Sequence, residues 1–593
     1  MKTGPGAPIL VLWDSQTPHR FSGYITEILQ IEGYNWFTVH DLSRQAVSIE
    51  QLGAHAIVIL THVAPSSEVQ AQVLAYVRQG GNLIALHPPE ALAGALGLIP
   101  HRHEMVDRYV VFNRGCALNA GVEPYTVQFH GRAKLYRWEG HEAQVLAMFA
   151  AFPDVVTKYP AIAVGNFGRG HWAVFSYDLA ESTVLFHQGR REQASTGSCP
   201  DPDGDRGFKP NDLFVGYLDA ALCHLPQADL HQDALVRILE WMTGLRQPLP
   251  RLWYFPNGAG AVAFINGDGD SMKREDLENV VATAERFGAS YTVYLMMENH
   301  ETVPPEWEAD LCGRGHDSGQ HAFAGRLPTL GQMREQLRKE MDAFRSRYGH
   351  ESVTFRGHNV IWAGWMEMAK YLRENGVRLD TNFAAGPYFH QGYLNGSGLP
   401  VKFMDEEGTL LDIYEQCTMS TDDGWLSDKM FLPALSVEAC IALSIQQADA
   451  AIDRFHTVYH PYFHPTRTRP GPLSAQRWLE GALRHCRDRG FTFVSGVDWV
   501  AFNDGRRGLR LAEYRFDPGQ TVLEFALEAE VGVEGVTLSL PYTCRGRAAA
   551  GAEVDGEAVR MNAKELEGRM QVLLPADYEA GQVRRWRVWW GGA

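Results

Sequence analysis

Residues 261–271 read AVAFINGDGDS. A short apolar run gives way at Asn266 to two glycines alternating with two aspartates, Asp268 and Asp270. An apolar run closed by Gly and Asp is a buried strand entering a turn. The same residues carry a chemical reading as well. The glycines would let the backbone run close past an ion, and two carboxylates would divide ligation from proton transfer. Which reading holds depends on what else arrives at the same strand end.

Working outward, ASYTVYLM, SVTFRGH, RLDTNF, HTVYHPYFH and FTFVSG are further strand candidates. REDLENVVATAERFG, LGQMREQLRKEMDAFRSRYG and WMEMAKYLRENG are amphipathic helices between them. Repeated βα units across 246–505 predict an irregular (β/α) barrel, whose chemistry gathers at the carboxyl ends of its strands. Those ends offer Asn266, Asp268 and Asp270, then His316 and His321 in GHDSGQHAF, Arg356 and His358 in FRGHN, Asp380 and Asn382 in LDTNF, and His460 and His464 in VYHPYFHP. Neutral imidazoles and a carboxylate can hold a Lewis-acidic cation. A second carboxylate can act as general base, an Arg can keep it ionised, and a further His can protonate a leaving group. These are the parts of a metal-assisted amide or ester hydrolase.

The motifs AVAFINGDGDS, GHDSGQHAF, TFRGHN, LDTNF and VYHPYFHP resemble, in order and spacing, those of the polysaccharide deacetylase family over about 255–500. The resemblance implies a carbohydrate esterase on an irregular (β/α) barrel. It implies a base and a metal-binding Asp from the first motif, metal-binding His from the second, an Arg that orients the base from the third, and an acid His from the last. Carried over by position, His321 falls on the metal and Arg356 on the motif arginine. Either His460 or His464 is the acid, and His460 is preferred because it ends the strand HTVY. An ungapped match sets Gly267 against the base and Asp268 against the ligand. In a D-x-D version Asp268 is the base and Asp270 the ligand. Gly325 stands where the family's second metal His falls, and His358 is expected to supply that nitrogen instead. The expected ligands are therefore Asp268 or Asp270 with His321 and His358, and the expected ion is zinc, with cobalt or nickel as alternatives. The function so implied is metal-dependent removal of acetyl groups from an acetylated carbohydrate. The alternatives are a catalytically inactive glycan-binding protein and a hydrolase of a non-sugar C–N bond.

The flanking segments read differently. Over 1–245 short apolar strands such as APILVLW, AHAIVIL and GNLIALH alternate with helices, which predicts a doubly wound parallel sheet. This order resembles the glutamine-amidotransferase-like fold over about 7–245. The elbow segment AIVILTHVAPSS, 56–67, lacks the Cys nucleophile that amidotransfer needs, and Cys116 and Cys199 lie in loop-like sequence, so this domain is expected to be non-catalytic. RQPLPRLWYFPNG, 246–258, reads as a Pro-rich linker. From 506 onward, alternating strands predict a small antiparallel β-sandwich with an exposed aromatic tail, WRVWW. Residues 396–418 predict a hairpin, and Trp362 and Trp365 are candidate sugar platforms or packing residues.

The whole is an α/β multidomain chain of 593 residues, too long for one core. A net charge of −17 argues against a nucleic-acid or anionic-membrane partner. No run approaches the roughly 20 apolar residues of a membrane span. Eight cysteines without a CxxC pair suit reduced thiols. With no secretory apolar run at the start, the expected location is cytoplasmic, or secreted if a leader has been removed. The expected partner is a carbohydrate substrate, and homo-oligomers are left open.

Overall fold

The computed structural model describes residues 7–138, 144–195, 208–244, 247–322, 330–385, 392–427, 433–471 and 474–591. They group into two units. The first joins Met1–Leu185, Leu230–Gly258 and Phe502–Ala593, and the second joins Phe186–Asp229 and Ala259–Ala501. This grouping cuts across the expected division 1–245, 246–505 and 506–593. Among the described residues no helix is long and apolar enough to cross a membrane.

The first unit is built on nine strands: β1 (Ile9–Trp13), β2 (Phe37–Asp41), β3 (Ile57–Leu60), β4 (Asn82–Leu86), β5 (Leu98–Phe112), β6 (Thr126–Trp138), β7 (Gln144–Phe152), β8 (Val155–Phe167) and β9 (Gly170–Phe175). They lie in the order β2-β1-β3-β4-β9-β8-β7-β5-β6. Strands β2, β1, β3, β4 and β9 are parallel, as the alternating strands and helices predict. The remainder corrects the wholly parallel sheet: β9 to β6 pair antiparallel. In β5 the middle of the strand is largely open to solvent, a pattern that hairpin-linked strands tolerate and a doubly covered parallel sheet does not.

The helix Ser67–Arg78 shows how sequence sets local structure here. The Ser66 hydroxyl caps it by accepting from Val69 N, and Val69, Val73, Tyr76 and Val77 fall on one buried face. Gly80 stops it at φ 109°, and Gly81 leaves room for the Tyr76 ring, which a Cβ at 81 would meet at 2.2 Å.

Residues 247–258 are not a linker. Arg251–Leu252 forms β10, paired antiparallel with Ser539 and Leu538, and Trp253 and Phe255 are fully buried. Arg251 is itself buried and donates to Glu32 at 2.8 Å and to Glu567 at 2.9 Å. The prolines suggested a spacer, but the RLWYF that follows them is core. The C-terminal strands make the antiparallel sheets expected there. Their aromatic tail is a correction, because Trp586 and Trp590 are buried, facing inward on alternate positions of Val583–Gly591.

The second unit holds β11 (Val262–Phe264), β12 (Asn266–Asp268), β13 (Thr292–Leu295), β14 (Asp317–Gln320), β15 (Thr354–Phe355), β16 (Leu379–Asp380), β17 (Val401–Met404), β18 (Leu410–Glu415), β19 (Ser420–Thr421), β20 (Val458–Tyr459), β21 (Pro461–Tyr462) and β22 (Thr492–Val494). Strands β12 to β16 pair in parallel in sequence order. Segment 410–421 then pairs in parallel with β16 on one side and β21 on the other, and β21 pairs back to β12. The parallel neighbours thus run in a ring, broken locally at Ile265 and His460. The 396–418 hairpin is present as antiparallel β17 and β18, with β18 taken into the ring. Helix Arg274–Arg286 covers the ring with Leu277, Val280, Val281 and Ala284, packed in one core with Val293, Leu295 and Trp478. Cys116, Cys223, Cys312, Cys417, Cys440, Cys486 and Cys544 are free thiols, and Cys199 lies outside the described residues.

Candidate active site

The glycines of NGDGDS answer to the backbone around them. A Cβ at Gly267 would stand 1.8 Å from the Phe463 carbonyl, and one at Gly269 would stand 2.6 Å from Asn299 Oδ1. They clear space for neighbouring chain segments, which corrects the expectation that they make room for an ion. The effect is to set Asp268 and Asp270 where β12 ends, with Asp268 buried and Asp270 about one-third exposed.

His321 follows β14 directly and is fully buried. Its Nδ1 lies 2.8 Å from the Arg356 carbonyl, so this nitrogen carries the proton and donates it. That leaves Nε2 facing Asp268 Oδ2 at 3.4 Å and Asp270 Oδ1 at 3.3 Å. His358 Nε2 reaches Asp270 Oδ2 at 3.8 Å, and its ring stands edge-on to His321 with centroids 5.5 Å apart. Asn359 and Val360, next in the chain, both hold positive φ. For a β-branched residue such as Val360 this is strained backbone, and it sits beside a candidate ligand.

Arg356 is buried behind Asp268. Its Nε lies 3.6 Å from Asp268 Oδ2, its guanidinium stacks on Tyr462 at 4.3 Å, and Nη1 donates to the Thr381 carbonyl at 2.6 Å and Thr418 Oγ1 at 2.9 Å. Asn382 accepts from Gly357 N at 2.9 Å and donates to Asp380 Oδ1 at 2.7 Å, which anchors the loop carrying Arg356 and His358. Burial raises the Asp268 carboxyl above its ordinary value, against the pull of His321 and Arg356. Burial also acts on Asp270, but the neighbouring imidazoles of His321, His464 and His358 overcome it and hold Asp270 down at about 2.

Could this arrangement take a cation? Ligand atoms about 2.0–2.1 Å from a tetrahedral ion stand roughly 3.4 Å from one another. The contacts of His321 Nε2 to the two carboxylates match that edge and are longer than the roughly 2.8 Å of a charged hydrogen bond. His321 Nε2, Asp268 Oδ1 and Asp270 Oδ1 are buried without a hydrogen-bond partner. Asp270 contacts both imidazoles, and these residue types suit a cation such as zinc once their donor atoms draw together. The donor atoms of Asp270, His321 and His358 do not all lie within 4.8 Å of one another, whereas in this unit those of Asp405, Glu406 and Glu407 do, and so do those of Asp422, Asp423 and His464. There His464 Nδ1 is committed to Asp422 at 2.7 Å.

The two histidines of VYHPYFHP part company. His460 is fully buried, stacked on Phe264, and held by Asn266 Nδ2 at 2.8 Å and the Cys417 carbonyl at 3.0 Å. Burial, with Arg356 nearby, pushes it down to about 3, so it is neutral. His464 opens toward Asp270, with Nε2 3.7 Å from Oδ2. Burial opposes its protonation, but Asp422 overcomes that and raises it to about 10. His464 is therefore the one of the two that stands beside Asp270, while His460 has both ring nitrogens engaged in the interior. His316 also lies apart, at the other end of β14, where it accepts from Tyr291 N at 3.0 Å.

Asp380 sits against Glu415 beneath the site, both fully buried. Burial raises Asp380 to about 6 and, with Asp380 beside it, lifts Glu415 well above the usual carboxylate range, so the pair shares a proton. Trp362 and Trp365 are core: Trp362 packs on Phe383 and Phe403 and donates to the Trp365 carbonyl, and Trp365 donates to the Gln188 carbonyl. Gly325 lies outside the described residues. Sequence reasoning missed Asp422 and Tyr462. Asp422 opens the short helix Asp422–Leu426 after β19, and the paired acids of STDDGWL were the available signal.

No family model matches the chain, and no curated protein does. Among solved structures it is similar to one described as Agd3, a novel carbohydrate deacetylase, with 11% identity over 98% of each chain and a TM-score of 0.42. It is also similar to a Streptococcus mutans CE4 esterase, with 16% identity over 40% of this chain and 87% of that one and a TM-score of 0.25. Both scores are too low to carry a fold or an activity across.

Proposed function

We propose that this chain is a cation-dependent hydrolase that removes acetyl groups from an acetylated carbohydrate. The observation that carries the reading is the division of labour around His321: a ligand set, a buried carboxylate beside an arginine, and a protonated imidazole beside an aspartate. Asp270, His321 and His358 would hold the ion, because Asp270 stays anionic and the His321 proton is tied to a carbonyl. A divalent cation there supplies Lewis-acid polarisation of an acyl carbonyl and acidifies water.

Asp268 serves as general base. Its raised proton affinity suits proton uptake, and Arg356 orients the carboxylate and restrains its charge. His464 serves as general acid from Nε2, and Asp422 balances the charge it carries before that transfer. The proposal thus follows the D-x-D assignment rather than the ungapped one. The carbohydrate rests on the motif resemblance alone.

The test is acetate release from acetylated chitooligosaccharides by zinc-loaded protein, set against hydrolysis of small cyclic amides. Release from the oligosaccharides, stopped by chelation and by His321→Ala, is expected. Turnover of the cyclic amides alone would move the reading to a non-sugar C–N bond, and no turnover of either would end it.

A further inference from the structure

In the first unit a second cluster stands at the carboxyl ends of parallel strands, where ligands of open α/β sheets gather. His62 lies two residues beyond β3, His87 directly follows β4, and Asp178 and Glu181 follow β9. We propose that His62, Asp178 and Glu181 form a binding site for a divalent first-row cation. This does not depend on the reading proposed for the second unit.

Donor atoms of all three lie within 4.8 Å of one another. Each is oriented by something else. Asp178 Oδ1 caps the helix Leu179–Gln188 by accepting from Ala180 N at 3.0 Å and Glu181 N at 3.3 Å, which turns Oδ2 to His62 Nδ1 at 3.2 Å. Glu181 lies over Gly131, where a Cβ would come within 2.9 Å of its Oε2, and Gly131 has φ 87°. His62 Nε2 is engaged by His87 Nδ1 at 2.7 Å, so Nδ1 is the nitrogen left toward the acids.

His87 supplies an independent observation. It holds φ 45°, which costs a non-Gly residue strain, and its Nε2 is buried without a partner. His19 stacks on His62 at 3.4 Å. Lys134, the nearby cation, donates to the Pro88 carbonyl at 2.9 Å. Two carboxylates and three imidazoles therefore cluster around His62, and a mixed nitrogen and oxygen set of this kind suits first-row cations.

The experiment is zinc titration of the metal-free full-length protein, read as equivalents bound, for wild type, His62→Ala, Glu181→Gln, His321→Ala and the His62→Ala/His321→Ala pair. One equivalent is expected to be lost with His62→Ala and kept in His321→Ala, with at least a 10-fold weaker affinity in Glu181→Gln. If the second unit binds no zinc, wild type takes up one equivalent and His62→Ala takes up none, so the two proposals fail separately. Unchanged stoichiometry and affinity in both His62→Ala and Glu181→Gln overturns the site. Should His62→Ala not fold, zinc-edge anomalous scattering from wild-type crystals decides: a peak between His62 and Asp178 supports the site, and its absence after zinc soaking refutes it.

Discussion

The two units place histidines and carboxylates at the same topological position, yet they equip them differently. In the second unit His321 and His358 come from separate strand ends and meet the carboxylates of a third. A buried arginine stands behind one carboxylate, and a separate His464–Asp422 pair faces the other. In the first unit the imidazoles lean on one another, His87 on His62 and His19 on His62. Among the described residues no arginine is paired with Asp178 in the way Arg356 is with Asp268. Ligands alone can hold an ion. Hydrolysis also needs a base and an acid, and in the reading proposed above Asp268 and His464 of the second unit take those parts.

The sharpest way to break this contrast is His321→Ala. It is expected to take acetate release to background, a fall on the order of 10⁴-fold or more, while the first unit keeps its zinc. Residual turnover near wild type would remove the second unit's claim to be the reacting one.

Asp268→Asn separates base from ligand. kcat should fall roughly 10²–10⁴-fold with zinc content unchanged. Loss of zinc would instead make Asp268 a ligand and reverse the D-x-D assignment.

Asp422→Asn tests the acid. His464 stays protonated up to about 10 in the intact protein. Without the carboxylate its proton is released at lower pH, so the falling limb of kcat against pH should move to lower pH. The expected loss at pH 8 is roughly 10–100-fold. A profile with an unmoved limb would discharge His464 from the role.

The smallest effect concerns the histidine that the fold keeps for itself. His460 titrates near 3 when folded and near 6.5 when unfolded, so the unfolded chain binds the extra proton between those values. Stability contributed by the neutral ring is full above about 6.5 and is lost as pH falls, about 2 kcal/mol between pH 7 and pH 5. Urea unfolding at the two pH values measures this, and His460→Asn should flatten the difference. A His460→Asn protein as pH-sensitive as wild type would contradict the burial argument.

Much of this site was readable residue by residue. Arg356 directly follows the run VTF and His358 lies two residues on, whereas His321 follows the polar strand DSGQ and was readable only from the motif GHDSGQH. Asp422 was not readable, because its tie to His464 spans 42 residues and no periodicity connects them. The segment 247–258 misled because proline signals a break in regular pairing but says nothing about burial. Long strands β5 to β8 misled because their alternation was subordinate to the parallel pattern on either side.

Sequence alone determined which residue types could do chemistry and roughly where the strands that carry them end, since apolar runs and Gly-Asp turns are local properties. Only the tertiary structure separated the surroundings of His460 and His464, four residues apart in one motif. A ring of parallel strands breaks at His460 and turns it into the interior, where desolvation keeps it neutral, while His464 emerges beside Asp422, where a buried carboxylate keeps it charged. That separation depends on dielectric and on neighbours distant along the chain, and neither is written in the local pattern.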